Sequence, residues 1–203
     1  MADRFLNIVY DQGRTDPRNL YAKWSKTYDN KVSLNGYLTS QHCAKALAQF
    51  SNELNTPVLD YGCGTRLSGE ALRAEGFTTI QGRDLSKEML ALANAKSIYS
   101  VLKCFDPGKG PELAADMFHV IAAVGVISVG AEPPPTFDFI FDLLAPKGLF
   151  VFSFNDHAFA DPSFEAKVKE YIDSSSADLL LKEYGDHLPG AGLKSNVYVL
   201  KKA

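Results

Sequence analysis

The run Asp60-Tyr61-Gly62-Cys63-Gly64-Thr65 puts a carboxylate and two glycines into one short stretch. Glycines without Cβ atoms let the backbone turn sharply and come close to a ligand. Pro57 stops whatever helix precedes it. Val58 and Leu59 then read as the end of a buried strand, and Leu67 to Ala74 reads as a helix. Strand, Gly-x-Gly turn and helix is the context that binds a nucleotide-like ligand. Asp60, at the strand end, is placed to hold a cationic group. A second acid, Asp84, ends the next apolar stretch, Phe77 to Gly82. That matches a ribose-binding acid about 20 residues beyond a glycine-rich turn.

These residues need a scaffold, and the composition bounds it. A chain of 203 residues suits one domain with a full core. Apolar residues at 46% and charged residues at 22% are typical of a globular protein. A net charge of −3 gives no reason to expect a nucleic-acid or membrane-surface binder. The sequence has no apolar run long enough to span a bilayer, and Met1-Ala2-Asp3-Arg4 is followed by too little apolar length for a signal peptide. Cys43, Cys63 and Cys104 lack metal-ligand spacing, which predicts reduced thiols and a cytoplasmic protein without a metal site.

In chain order, Tyr21, Trp24 and Tyr28 recur at i, i+3 and i+7, one face of a helix. Ahead of the first strand, that face either packs on the core or covers a ligand as a lid. We expect residues 1–35 to form an N-terminal segment with this helix, and 36–203 to form the main domain. Helices are predicted over 37–50, 67–74, from the Ser86 N-cap onward, over 136–144 and over 161–173. Strands are predicted near 57–61, 78–84, 100–105, 149–154, 178–184 and 196–201. A continuous apolar run within 118–129 suits a central strand covered on both faces. Ala145-Pro146-Lys147-Gly148 is predicted to turn, with Gly148 taking the left-handed position. Alternation of strand and helix from 57 to 154 predicts an α/β fold with a parallel sheet.

The motifs resemble those of class I S-adenosylmethionine-dependent methyltransferases. Asp60 to Thr65 is similar to their first motif. Gly82-Arg83-Asp84-Leu85-Ser86-Lys87-Glu88-Met89-Leu90 is similar to their second, and Leu144-Ala145-Pro146-Lys147-Gly148-Leu149 to the turn before their fifth strand. Tyr21-Ala22-Lys23-Trp24 with Tyr28-Asp29 resembles the lid of a narrower group, the methyltransferase-like proteins named after the Williams–Beuren region. The resemblance implies a single-domain Rossmann-like sheet of seven mostly parallel strands, helices on both faces and the last strand antiparallel. It implies S-adenosylmethionine as cofactor, held by Tyr21, Trp24, Tyr28, Asp60, Gly62, Cys63, Gly64, Thr65, Asp84, Leu85, Met89, Asp106 and Val124. Among these, the backbone of 62–65 would lie against the methionine, Asp84 would take the ribose hydroxyls, Leu85 would pack on adenine and Asp106 would face its amino group. Val124 and Gly125 would border the methionine and the acceptor.

The chain departs from the family where Arg66 and Lys147 replace glycines. Arg66 admits three readings: a solvent-facing side chain, a partner for the cofactor's carboxylate, or a group that crowds the site. Methyl transfer from a sulfonium depends chiefly on alignment, and a base is needed only when the acceptor must lose a proton. Candidates for that base are Asp156 and His157, at the end of a strand where ligands gather, with His119 and Tyr171 less well placed. A small-molecule acceptor is expected. The alternatives are a cofactor-binding protein without turnover, or a nicotinamide-dependent oxidoreductase, against which Leu67 stands in place of the third turn glycine.

Overall fold

The computed structural model describes residues 32–95, 97–106, 110 and 112–203. The helix expected over 21–30, with Tyr21, Trp24 and Tyr28, lies outside them. The elements run α1 (Thr39–Phe50), β1 (Val58–Tyr61), α2 (Leu67–Ala74), β2 (Ile80–Asp84), α3 (Lys87–Asn94), β3 (Val101–Cys104), β4 (Phe118–Ala123), α4 (Thr136–Leu143), β5 (Leu144–Asn155), α5 (Asp156–Ala160), α6 (Pro162–Asp173), β6 (Ala177–Leu188) and β7 (Leu193–Lys202). The strands form one seven-stranded sheet in the order β3-β2-β1-β4-β5-β7-β6. β7 runs antiparallel to both its neighbours, and the pairings among β1 to β5 are parallel.

The central strands of the sheet are buried on both faces, and the pleat divides their side chains by size. On one face Ile121, Phe150, Phe152, Phe154 and Tyr198 pack against Phe137 and Phe141 of α4 and Phe164 of α6. Phe152 stacks on Tyr198 with ring centroids 4.9 Å apart. On the other face Val58, Val120, Ala122, Val151 and Val197 pack against Cys43 and Leu47 of α1 and Leu72 of α2. Strands covered on both sides read as unbroken apolar runs for this reason. The bulky aromatics fill the wider side, where α4 and α6 lie.

Helix caps follow the sequence closely in α3. Ser86 Oγ accepts from the Met89 N–H at 3.2 Å, and Glu88 brings negative charge to the first turn. Elsewhere the boundaries move. β4 ends at Ala123, because Gly125 (φ 69°) turns the chain out of the sheet. β5 begins at Leu144, before the expected turn, and the register against β4 shifts between Phe118 and Val120. Within that irregular stretch the left-handed residue is Lys147 (φ 63°), not Gly148. Gly148 is required for a different reason: a Cβ there would lie 2.7 Å from the Ala145 carbonyl oxygen and 3.0 Å from that of His119. The last two strands are longer than their alternating cores suggest.

Candidate functional site

The C-terminal ends of β1, β2 and β4 meet at a cavity of about 720 Å³, counting its solvent-open mouth. That is the position where open α/β sheets bind ligands. Gly62 and Gly64 form its floor, with φ of 70° and 51°. The Gly62 and Cys63 N–H groups both donate to the Arg83 carbonyl, at 2.8 and 3.1 Å, so the turn is tied to β2.

Asp84 is the best-organised polar group of the cavity. Its Oδ2 accepts from the Gly64 N–H at 2.8 Å, and its Oδ1 from the Ser86 N–H at 2.8 Å. Two backbone donors fix the carboxylate in one orientation, and each oxygen keeps a lone pair for a ligand. Burial lifts this carboxyl above the ordinary range; the N–H groups of Ser86, Gly64 and Leu85 oppose the shift, and the charge of Glu132 adds to it. Leu85, Met89 and Phe105 supply an apolar wall, and Val124, Gly125 and Val126 the opposite one. Tyr61 stands between them, its ring 5.3 Å from that of Phe105. Burial pushes its phenol up, and the charges of Glu132 and Asp84 push the same way. Gly125 is anchored by donating its N–H to Ser153 Oγ at 3.0 Å.

Among the expected cofactor residues, the cavity brings together Gly62, Gly64, Asp84, Leu85, Met89 and Val124. Asp60 is elsewhere. It is fully buried behind the turn and accepts from Ser68 Oγ at 2.7 Å and Tyr99 Oη at 2.8 Å. Both hydroxyls bond Oδ2; Oδ1 is buried too and has no hydrogen-bond partner among the described residues. Burial raises the carboxyl to about 7, against the two hydroxyl bonds and with a contribution from Asp84. Cys63 and Thr65 are buried as well. The Cys63 thiol packs where a Cβ on Gly82 would fall, 2.8 Å away, and burial holds it well above its usual range. Asp106 is exposed and borders a separate groove along β3; its neighbour Phe105 faces the cavity. Phe105 lies one residue past β3, and its N–H donates to the Asp84 carbonyl at 3.1 Å.

Arg66 is neither fully solvent-facing nor among the residues that line the cavity. Its side chain is 15% exposed, pairs with Glu70 at 3.0 Å and donates to the Thr65 carbonyl at 3.0 Å. The guanidinium therefore lies along its own helix, outside the cavity lining. Asp156 is engaged elsewhere too: it accepts from Tyr184 Oη at 2.7 Å and from the Lys194 N–H at 2.9 Å. His157 is exposed and outside the lining. His119 is at the start of β4, beside Lys147 and Lys201 in a groove at the other end of the strands. Tyr171 packs on Phe141 and donates to Asp138 at 2.8 Å.

Sequence reasoning missed Glu132. It lies in the loop between β4 and α4 and enters the cavity wall with Ala131. Its N–H donates to the Val126 carbonyl, its carbonyl accepts from the Ser128 N–H, and its Oε2 accepts from Thr136 Oγ1 at 2.9 Å. The local signal was an acid just before Pro133-Pro134-Pro135, which only the loop's closure brings to the site. Among the described lining residues, the charged groups are Asp84 and Glu132, both acidic.

Comparison with known proteins agrees with this geometry. Residues 35–188 match the family described as "Methyltransferase domain". The human methyltransferase-like protein 27 is 30% identical over 118 residues, covering 57% of this chain and 48% of the human one. A putative methyltransferase from Geobacillus is 29% identical over 137 residues, 62% of this chain and 55% of that one. The chain spans about half the length of these curated relatives. Among solved structures, the putative methyltransferase in complex with the Haloferax volcanii Trm112 activator superposes with a TM-score of 0.64 at 17% identity, over 91% of this chain and 97% of that one. A putative S-adenosylmethionine-dependent methyltransferase from Listeria monocytogenes gives 0.60 at 15%, over 81% and 98%. Glycine turn, the acid at the end of β2, strand order and family match converge, and the chain belongs to the methyltransferase domain family.

Proposed function

We propose that this protein is an S-adenosylmethionine-dependent methyltransferase whose cofactor occupies the cavity between Gly62, Asp84 and Glu132. The observation that carries this reading is the acidic, glycine-floored cavity with Asp84 hung on the Gly64 and Ser86 N–H groups. S-adenosylmethionine is a net cation, with an ammonium and a sulfonium against one carboxylate, and suits such a lining. The pyrophosphate of a nicotinamide dinucleotide would meet two carboxylates, which argues against that alternative.

When bound, S-adenosylmethionine supplies an activated methyl group. The chain's own part is placement. Asp84 accepts from the ribose hydroxyls in charge-assisted bonds, Leu85 and Phe105 enclose adenine, and the backbone of Gly62 and Gly64 lies along the methionine. Val124 and Gly125 border the acceptor side. Anchored as it is to Ser153, the Gly125 turn keeps that wall fixed, and fixed alignment is the main source of acceleration in this reaction class. In this reading residues 21–29 of the N-terminal segment 1–35, with Tyr21, Trp24 and Tyr28, close over the cofactor bound by the domain 36–203.

A small-molecule acceptor is favoured by the overall charge of −3 and by the acidic cavity wall, both ill-suited to a phosphate backbone. The yeast relative named as an 18S rRNA methyltransferase matches over 70 residues, 26% of its length. The Williams–Beuren-region group is supported by the human relative. Among the described residues no helix is long and apolar enough to cross a membrane. A second reading, a cofactor-binding protein without methyl transfer, is favoured by one observation: Asp156 and His157 lie outside the cavity lining. One neighbour of this fold is a [4+2]-cyclase, and fold alone does not fix the reaction.

The test is calorimetry with S-adenosylhomocysteine on wild type and Asp84→Asn. An amide offers one oxygen to two backbone donors, so the variant should lose about 1.5–3 kcal/mol of binding; unchanged affinity removes Asp84 from the ribose. Methyl release from labelled cofactor separates turnover from mere binding. Trp24 is the sole tryptophan, and unaltered emission on saturation with the same ligand would count against the lid.

A further inference from the structure

We infer that Glu132 reads the charge on the cofactor's sulfur, and so makes the protein prefer S-adenosylmethionine over the neutral thioether left after transfer. The inference rests on the functional reading above and adds a residue to it. Two carboxylates share the cavity, but they sit on opposite sides of the β1 turn. Asp84 ends β2, and both its oxygens are already held by backbone donors of the second-motif turn. Glu132 arrives from beyond β4, on the side of Val124 and Gly125. A ligand whose ribose rests on Asp84 and whose chain crosses Gly62 and Gly64 places its sulfur toward the β4 side.

Glu132 is also built to stay there. Its backbone is paired on both sides, with Val126 and Ser128, and Ile127 bridges to it in parallel register. Thr136 Oγ1 holds one carboxylate oxygen, and the prolines at 133–135 stiffen the chain between Glu132 and α4. A fixed carboxylate in a partly closed apolar cavity interacts with a nearby charge more strongly than one in water, and without reorganising. Its influence reaches across the cavity, since its charge raises both Tyr61 and Asp84. Asp84 is oriented by its two backbone donors toward the ribose, whereas Glu132 has one oxygen held by Thr136 and offers the other for electrostatic contact with a sulfonium, which has no hydrogen to donate. Loss of the methyl removes the positive charge and with it this attraction, favouring product release.

The experiment is calorimetry of the full chain with S-adenosylmethionine and, separately, S-adenosylhomocysteine, for wild type, Glu132→Gln and Glu132→Asp. Glutamine keeps an acceptor for Thr136, and matching thermal melts establish that each variant folds. Wild type should bind the sulfonium ligand more tightly. Glu132→Gln should weaken S-adenosylmethionine about tenfold, equivalent to 1.4 kcal/mol, while changing S-adenosylhomocysteine less than about twofold. Glu132→Asp should retain part of the preference. An equal loss for both ligands, or no loss for either, overturns the inference while leaving the functional reading standing. Wild-type protein that binds neither ligand overturns the functional reading, and this inference with it.

Discussion

A methyl group on residue 62 would have no room. An ideal Cβ on Gly62 falls 2.4 Å from Val126 Cγ2 and 3.0 Å from Val126 Cγ1, and Val126 is itself a buried part of the cavity wall. The backbone there has φ of 70°, which costs an L-residue about 1–2 kcal/mol. Forcing the contact adds about 1–3 kcal/mol of overpacking. Alanine's stiffer unfolded chain returns about 0.4–1 kcal/mol. Gly62→Ala should therefore lose about 2–4 kcal/mol in urea denaturation. Val126→Ala in the same background removes the clashing methyls but leaves the dihedral, so the double variant should recover the overpacking share, about 1–3 kcal/mol relative to additivity. A loss below about 1 kcal/mol for Gly62→Ala, or strict additivity in the double variant, would refute both the geometry and the claim that this turn needs glycine for close approach.

Two further substitutions probe the surroundings of the site. For Asp60, the folded carboxyl is raised to about 7 from an ordinary value of 3.8. Between those limits the folded state binds the extra proton, so stability falls as pH rises, by at most about 1.4 kcal/mol per pH unit. Asp60→Asn should flatten that decline between about pH 4 and 7 in pH-dependent denaturation, and an unchanged slope would contradict a proton on Asp60. For Arg66, φ of 106° is a glycine conformation. Arg66→Gly relieves about 1–2 kcal/mol of strain, offset by the lost Glu70 pair at about 0.3–0.5 kcal/mol and by added chain entropy of about 0.5–1 kcal/mol. Stability should stay within about 1 kcal/mol of wild type and affinity for S-adenosylhomocysteine should not change; a clear loss of affinity would return Arg66 to the ligand.

Local elements, and the chemistry carried by contiguous residues, were legible in the sequence. Gly62 and Gly64 could be read because a positive φ leaves few alternatives, and Ser86 because a cap acts within one helical turn. Asp84 could be read because the strand, acid and cap that define it are adjacent in the chain. The parallel sheet followed from alternation, and the antiparallel last strand from family resemblance. Contacts between distant segments were not legible. The sequence places Asp60 at a strand end but does not show that Ser68 and Tyr99 hold its Oδ2 behind the turn. Phe105 lines the cavity because its N–H is tied to the Asp84 carbonyl just past the β2–β3 pairing, a contact between segments about twenty residues apart. Lys147 rather than Gly148 takes the left-handed turn because Gly148 must let the Ala145 and His119 carbonyls approach. Glu132 reaches the site only when β4 lies beside β1 and its loop folds back on Val126. Propensities act over a few residues and leave their mark in the sequence, whereas the walls of this cavity are built by strand neighbours far apart in the chain and exist only once the sheet has formed.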